Sequence, residues 1–540
     1  MVQGFFAAMP PFPPFLRSFR PGNASGAKGP DARARAGRRA PARLRIALLN
    51  VKYSPNLGDG LLAECLEREL SAALGGAEVI SIDIAGRTGW PAAAPSSSGP
   101  VTASASRRRH IMALLEAMPP RLRHVAAGTA LALVTRWRLR PHIRARLAGC
   151  HAAVIGGGNL LTDADLNFPT KLAGAAREVT RRDLPLAIHA VGASGNWSAH
   201  GRHLFARALV RRPLAHATVR DERSREAWTV QLVPQGAPPA RVVGDPGLLA
   251  SLHYPHAFPH GTRNTQPGER RIGLCVTAPL ALRYHVGQHH QGEENATTGA
   301  LSSPAPHLRD RALIDWYGAL AHALARQGMH VVLFTNGSPE DRECLVSHAA
   351  DWTQERAAAD WIGGAPCLSR GRISLAAPFA TPADLARFVA GCDLVIAHRM
   401  HACIAAHSFA VPTIGLTWDA KLASFFALAG RSRYAVDGLA MAPVAMAELA
   451  LAALDEGVDR AALDRLIAGT RADVAALGAR IAGAIGPVQA YPVPAHPASP
   501  PAASAIKTAG KTAGKVPERE AGPVAALGQA SPATARPGAI

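Results

Sequence analysis

The chain has 540 residues and is 48% hydrophobic, enough to bury a large core and to divide into two domains, which excludes a protein disordered throughout. Its formal charge of +20 suggests nucleic acid or an anionic membrane, but the whole excess lies in three segments: residues 1–44, 86–146 and 487–540. The rest is formally neutral and aromatics make up only 5%, so a basic, aromatic-lined groove for nucleic acid is not expected.

No run reaches the roughly eighteen apolar residues of a membrane span. Residues Met1 to Leu16 end in prolines, not a cleavable signal, so a cytoplasmic protein is expected. The seven cysteines, Cys65, Cys150, Cys275, Cys344, Cys367, Cys392 and Cys403, include no Cys-x-x-Cys pair. That spacing points to reduced core thiols rather than a disulfide framework or a zinc ribbon.

Residues 1–44, rich in Pro, Gly, Ala and Arg, read as a disordered basic tail. From Arg45 the pattern becomes strand, loop and helix. Arg45 to Val51 is short and apolar, Tyr53 to Gly60 is a turn-rich loop, Leu61 to Leu74 has helical spacing, and Val79 to Ile84 is a second strand. In the loop, Asn56 and Asp59 are placed to bind hydroxyls or to cap the helix, and the glycines allow close backbone approach.

An Arg-rich insertion at 86–146 follows, with short apolar segments at His110 to Met118 and Val125 to Val134. Too short to span a bilayer, they suit a solvated flap or peripheral contact with an anionic membrane surface.

Strands are then expected at Ala152 to Ile155, Leu186 to Val191, Ala217 to Val219 and Val242 to Val243. Helices at Lys171 to Arg181, Ala199 to Arg211 and Glu222 to Leu232 alternate with them. After the first of these strands, Gly156-Gly157-Gly158-Asn159 lets a ligand approach the main chain but lacks both a P-loop lysine and dinucleotide spacing. Arg220 ends another strand, with Asp221 placed to cap the next helix, and Gly244-Asp245-Pro246 reads as a structural turn.

A linker at 256–269 separates this 45–255 domain from a second at 270–437, with strands at Ile272 to Val276, Val331 to Thr335, Ile373 to Leu375, Leu394 to Ala397 and Thr413 to Leu416. The stretch 278–307 is a candidate lid or a disordered loop. C-terminal helices at 438–486 and a disordered tail at 487–540 complete the chain. The fold class is α/β, with two Rossmann-like doubly wound domains facing a cleft and disordered termini.

The densest chemistry is His398-Arg399-Met400-His401 at a strand's carboxyl end, followed by Trp418-Asp419-Ala420-Lys421. Ligands of open α/β sheets collect outside those ends, where the next helix favours an anion. Arg399 offers a planar fork, Lys421 a point charge and His401 a proton carrier. The plain alternative is that the two histidines pack the strand end. A metal site is not expected, because no His-Glu-x-x-His or cysteine pair accompanies them.

Taken in order, Asn56-x-Gly58-Asp59, Gly156-Gly157-Gly158-Asn159, Val219-Arg220-Asp221, Gly244-Asp245-Pro246, His398-Arg399-Met400-His401 and Asp419-x-Lys421 resemble the motif series of the polysaccharide pyruvyl transferase family, over about residues 45–437. The resemblance implies a GT-B-like pair of Rossmann-type domains. It also implies transfer of a pyruvyl group from phosphoenolpyruvate to a sugar of a cell-surface polysaccharide or its lipid-linked precursor, forming a ketal, with no metal or nucleotide cofactor. By motif matching it puts Arg220, Arg399 and Lys421 at the donor and His401 at the catalytic position. Asn56, Asp59, Gly157, Gly158, Asn159 and Asp419 fall on the acceptor side or in the cleft. The alternatives are a GT-B-like glycosyltransferase using a nucleotide sugar and a non-catalytic polysaccharide-binding protein. If the acceptor is lipid-linked, contact with the inner face of the membrane through 86–146 would raise its local concentration.

Overall fold

The computed structural model describes residues 43–90, 128–163, 165–255, 269–279, 281–282, 306–353, 371–417 and 420–486. The expected disordered ends, almost all of the linker, most of the candidate lid and the His110 to Met118 segment lie outside them.

Strand β1 (Arg45–Asn50) is buried along nearly its whole length, as a strand covered by helices on both faces must be. Helix α1 (Leu57–Ala73) starts where the Asn56 side chain accepts from the Gly58 amide at 3.2 Å, and it leads to β2 (Glu78–Asp83). The connection to β3 (Ala152–Gly156) contains a second helix, α2, spanning 128–146 with a π-helical turn at Thr135–Leu139. There follow α3 (Asn167–Arg181), β4 (Leu186–Val191), α4 (Ala199–Leu209), β5 (His216–Val219), α5 (Glu222–Gln231) and β6 (Arg241–Val242).

The six strands form one parallel sheet in the order β2-β1-β3-β4-β5-β6. A register shift between Ile188 and Val191 accompanies a left-handed backbone at Ala190, whose φ is 51°. That conformation is costly for a residue with a Cβ, and it sits directly before the loop that carries Gly192.

The second half contains β7 (Arg271–Cys275), α6 (Pro306–Arg326), β8 (His330–Phe334), α7 (Pro339–Thr353), β9 (Ile373–Leu375), α8 (Pro382–Ala390), β10 (Leu394–Ala397), α9 (Met400–Ser408), β11 (Thr413–Leu416), α10 (Ala420–Leu428) and β12 (Ala435–Val436). Its sheet is also parallel, in the order β12-β11-β10-β7-β8-β9. The fold is therefore of the expected α/β class, a pair of doubly wound parallel sheets.

Two further stretches shape the core. Helix α11 (Pro443–Glu456) packs on the second half through Met446, Ala447, Ala450 and Ala453. Gly457, at φ 67°, then turns the chain into α12 (Arg460–Ile485), whose Val474, Leu477 and Ile481 are buried with Ile46, Leu48, Leu66 and Val154 of the first half. The last helix thus completes the first sheet's core, a placement that the expectation of C-terminal helices at 438–486 left open, and each of those side chains contributes about 2 kcal/mol by burial.

Helix α2 departs from the expectation. Expected as insertion, it is an integral crossover helix, with Leu131, Leu139 and Ile143 buried and Arg140 and Arg144 donating to Glu178 at 2.8 and 2.9 Å.

The two halves meet through the loop that opens α1. The Leu57 amide donates to the Asn336 carbonyl at 2.8 Å, and a Cβ added to Gly58 would stand 2.5 Å from the His401 Cβ. Only a residue with no side chain lets these two helix starts come so close.

Candidate active site

Parallel pairing sends the carboxyl ends of β1, β3, β5 and β6 toward the corresponding ends of β10 and β11, and the motif residues follow those ends. Helix α9 begins directly after Arg399, so His401 lies in its first turn, buried to 9% exposure. Its Nδ1 is 3.4 Å from Asp59 Oδ1 on α1, and its Nε2 is 3.9 Å from Asp245 Oδ2. The imidazole thus stands between two carboxylates, Asp59 on the Nδ1 side and Asp245 on the Nε2 side, so either ring nitrogen has an acid group within reach.

Asp245 has two distinct oxygens. Oδ1 accepts from the Gly247 amide at 2.9 Å and so fixes the turn after β6. Oδ2 is 3.8 Å from Arg220 Nη1 as well as 3.9 Å from His401 Nε2. The carboxylate stands between the guanidinium of one half and the imidazole of the other. Reading Gly244-Asp245-Pro246 as a structural turn captured only Oδ1. The signal available was position: an acid directly after a strand, at the sheet edge that also bears Arg220.

Arg220 is 6% exposed, with Nε 3.4 Å from Asp221 Oδ2. Asp221 spends its other oxygen capping α5, accepting from the Ser224 amide at 2.7 Å. Asn159, from the glycine loop after β3, lies beside Arg220. A Cβ placed on Gly192 would be 2.7 Å from Asn159 Oδ1 and 2.8 Å from Arg220 Nη2.

Arg220 Nε and Nη1, Asp245 Oδ2, His401 Nε2 and Asn159 Oδ1 are all buried with no hydrogen-bond partner within the protein. Buried polar atoms left unmatched are costly, so their concentration at one place marks a site made for a polar ligand. A small pocket beside Arg220 is lined by Arg220, Asp221, Asp245 and Lys421 together with the apolar side chains of Leu248, Met400, Ile404, Phe425 and Leu428; His401 and Asn159 do not line it. Lys421 thus joins the set from the first turn of α10, while Asp419 lies outside the described residues.

Other expected site residues are placed differently. Asn56 caps α1. Gly157 and Gly158 both have positive φ; a Cβ at Gly157 would strike Leu62, whereas the space around Gly158 is open. Arg399 Nε and Nη2 both donate to Oδ2 of the fully buried Asp341, at 2.9 and 2.5 Å. Its fork is already filled by a carboxylate from α7, so the arginine ties strand end to helix. His398 is the packing histidine: it shares a 2.7 Å hydrogen bond with the Tyr317 hydroxyl, and burial lowers it to about 3. Among the described residues no three His, Cys, Asp or Glu side chains gather as a metal site.

The fold and this cluster define an α/β protein of two parallel sheets with a group of buried, unmatched polar atoms where their strand ends meet. The sequence profile of the polysaccharide pyruvyl transferase family matches residues 56–420, and the chain belongs to that family. No curated protein matches the chain. Among solved structures it is similar to a protein from Listeria monocytogenes described as a UDP-N-acetylglucosamine 2-epimerase, with 14% identity, 82% of this chain and 96% of that one covered, and a TM-score of 0.42. It is also similar to the UDP-GlcNAc 2-epimerase of Methanocaldococcus jannaschii (10% identity, 76% and 99% covered, TM-score 0.35) and to the glycosyltransferase SnogD of Streptomyces nogalater (13%, 81% and 100%, 0.36).

Proposed function

We propose that the protein transfers a pyruvyl group from phosphoenolpyruvate to a pair of hydroxyls on a saccharide, in the cytoplasm, as a step in building a cell-surface polysaccharide. The observation that carries this reading is the convergence of Arg220, Asp245 and His401 on one space, each with an unpartnered polar atom.

The donor carries a phosphate and a carboxylate. Arg220 Nε and Nη1 carry no hydrogen bond, their nearest carboxylates standing 3.4 and 3.8 Å away, so both can turn to one of these groups, and Lys421 brings an ammonium to the pocket beside them. Asp221 and Asp245 partly offset those cations, which limits tight binding of just any anion and favours one placed to satisfy Arg220 Nε and Nη1 together.

Ketal formation has two proton problems. In the first step a sugar hydroxyl adds to the enol carbon, so one proton must reach the methylene and another must leave the hydroxyl. In the second, a neighbouring hydroxyl displaces phosphate and its proton leaves. His401 and Asp245 face each other across the same space, so one acts as acid while the other acts as base, and the proton taken from the first hydroxyl restores the one given to carbon. Arg220 and Lys421 stabilise the departing phosphate. Asp59 holds the imidazole, while Asn159 and the open face of Gly158 receive the acceptor.

The test is incubation of the purified chain with phosphoenolpyruvate and host glycan intermediates, following phosphate release and product mass. Equimolar phosphate and an acceptor heavier by one pyruvate ketal are expected. Turnover of a nucleotide sugar with none of phosphoenolpyruvate, or saccharide binding without phosphate release, would replace this reading.

A further inference from the structure

Helix α2 presents a surface that the chemistry of the cleft does not use. Residues 128–146 contain no acid and five arginines, Arg136, Arg138, Arg140, Arg144 and Arg146. The inner stripe, Leu131, Thr135, Leu139 and Ile143, is buried. On the outer stripe Leu133 is 51% and Trp137 71% exposed, one helical turn apart, and the Arg136 guanidinium lies 5.4 Å from the Trp137 ring centre.

The surroundings are cationic too. Glu178, which takes Arg140 and Arg144, is itself almost fully covered, so it offers little negative charge to solvent. Arg177 and Arg181 stand beside it on α3, and the charges of Arg140 and Arg181 hold the Arg177 guanidinium below its ordinary value. Two large apolar side chains projecting from a field of arginines do not make a groove for a polymer. They match a bilayer surface, where anionic headgroups meet the guanidiniums and the tryptophan and leucine enter the acyl boundary.

We infer that the outer face of α2, centred on Leu133 and Trp137, docks the protein on an anionic lipid bilayer.

Position along the helix gives the docking a use. A Cβ on Gly86, just past the carboxyl end of β2, would be 2.8 Å from Leu139 Cδ2. Leu139 is therefore level with the sheet edge that carries the active site, and Leu133, six residues earlier, projects about 9 Å beyond it at 1.5 Å per residue. The docking face therefore lies beyond the carboxyl end of β2, at the same end of the first sheet as Arg220 and Asp245 although near the opposite edge strand, so a bilayer there would face the end of the molecule from which an acceptor carried on a lipid would approach. This last step, a lipid-linked saccharide as acceptor, rests on the pyruvyl-transfer reading; the docking itself does not.

The test is co-sedimentation of the full chain with phosphatidylcholine vesicles containing about one third phosphatidylglycerol, compared with pure phosphatidylcholine. Anionic vesicles are expected to bind the wild type, with the apparent affinity falling about tenfold or more in Leu133→Ser/Trp137→Ser and about fivefold in Arg136→Gln, which removes one charge. Melting temperature and phosphate release with a water-soluble glycan are expected to stay unchanged in these variants. Absence of wild-type binding would overturn the inference. So would variants that sediment like wild type, which would assign binding to the other basic segments, or capture of single-stranded DNA without capture of vesicles. Vesicle binding without phosphate release from phosphoenolpyruvate under any condition would keep the docking and remove the pyruvyl-transfer reading.

Discussion

His401 Nε2 lies 3.9 Å from Asp245 Oδ2, and neither atom has a hydrogen-bond partner within the protein. The two residues come from different sheets, so closing the halves is what sets their separation. A substrate atom held between them would meet an acid and a base at once.

His401→Ala and Asp245→Asn are each expected to lower kcat by about a hundredfold to ten-thousandfold. The double variant should be little worse than the poorer single one, because the two groups act on one proton circuit. Steady-state kinetics of the four proteins check this; simple multiplication of the two losses would show that the residues work independently.

Arg220→Lys keeps the charge and removes the planar fork. The expected result is a rise in KM for phosphoenolpyruvate of roughly tenfold to a hundredfold, equivalent to about 1.5–3 kcal/mol, larger than the change in kcat. An unchanged KM would place the donor elsewhere.

Gly58→Ala inserts a methyl where the His401 Cβ stands 2.5 Å away. Neither helix start is free to retreat, so a stability loss of about 1–3 kcal/mol is expected, accompanied by a fall in kcat as the imidazole shifts. Urea denaturation and kinetics on the same preparation read both effects.

Acid sensitivity follows from buried neutral histidines. Burial lowers His398 and His189 to about 3 and His407 to about 4. In the unfolded chain each takes up a proton near 6.5 that the folded state refuses. Their contribution is thus fully present above about pH 6.5 and is lost as pH falls toward 4 and 3. His398→Gln, which can still bond the Tyr317 hydroxyl but cannot titrate, is expected to flatten the fall in urea midpoint between pH 6.5 and 4; a slope identical to wild type would refute the assignment.

Much of the architecture was readable along the chain, because a buried parallel strand is a short apolar run and its ending is marked by Gly, Asp or Arg. Leu186–Val191, Leu394–Ala397 and Thr413–Leu416 stand where their hydrophobicity put them. The motif order also brought Arg220, His401 and Lys421 together as candidates, since each follows a strand and sheet edges of this kind gather ligands. Helix α2 was hidden by its arginines, two of which are neutralised by Glu178 rather than by anything nearby in sequence.

Local pattern determined which residues lie at strand ends; the tertiary structure alone decided which of them remain available to a ligand. Arg399 and Arg220 look alike as sequence, yet a distant buried Asp341 claims the first, while the second keeps two N–H groups unpartnered. Asp245 looks like a turn residue until the halves close and set its free oxygen beside Arg220 and His401. Helix α12 is shared between the cores, Val474, Leu477 and Ile481 packing with the first sheet and Leu466 and Ile467 against the cluster that holds the second, a division its apolar spacing does not reveal. Hydrophobic period and turn chemistry act over a few residues, whereas pairing of buried charges depends on distances that the folded chain sets across tens of residues, as for Arg399 and Asp341, or well over a hundred, as for Asp245 and His401.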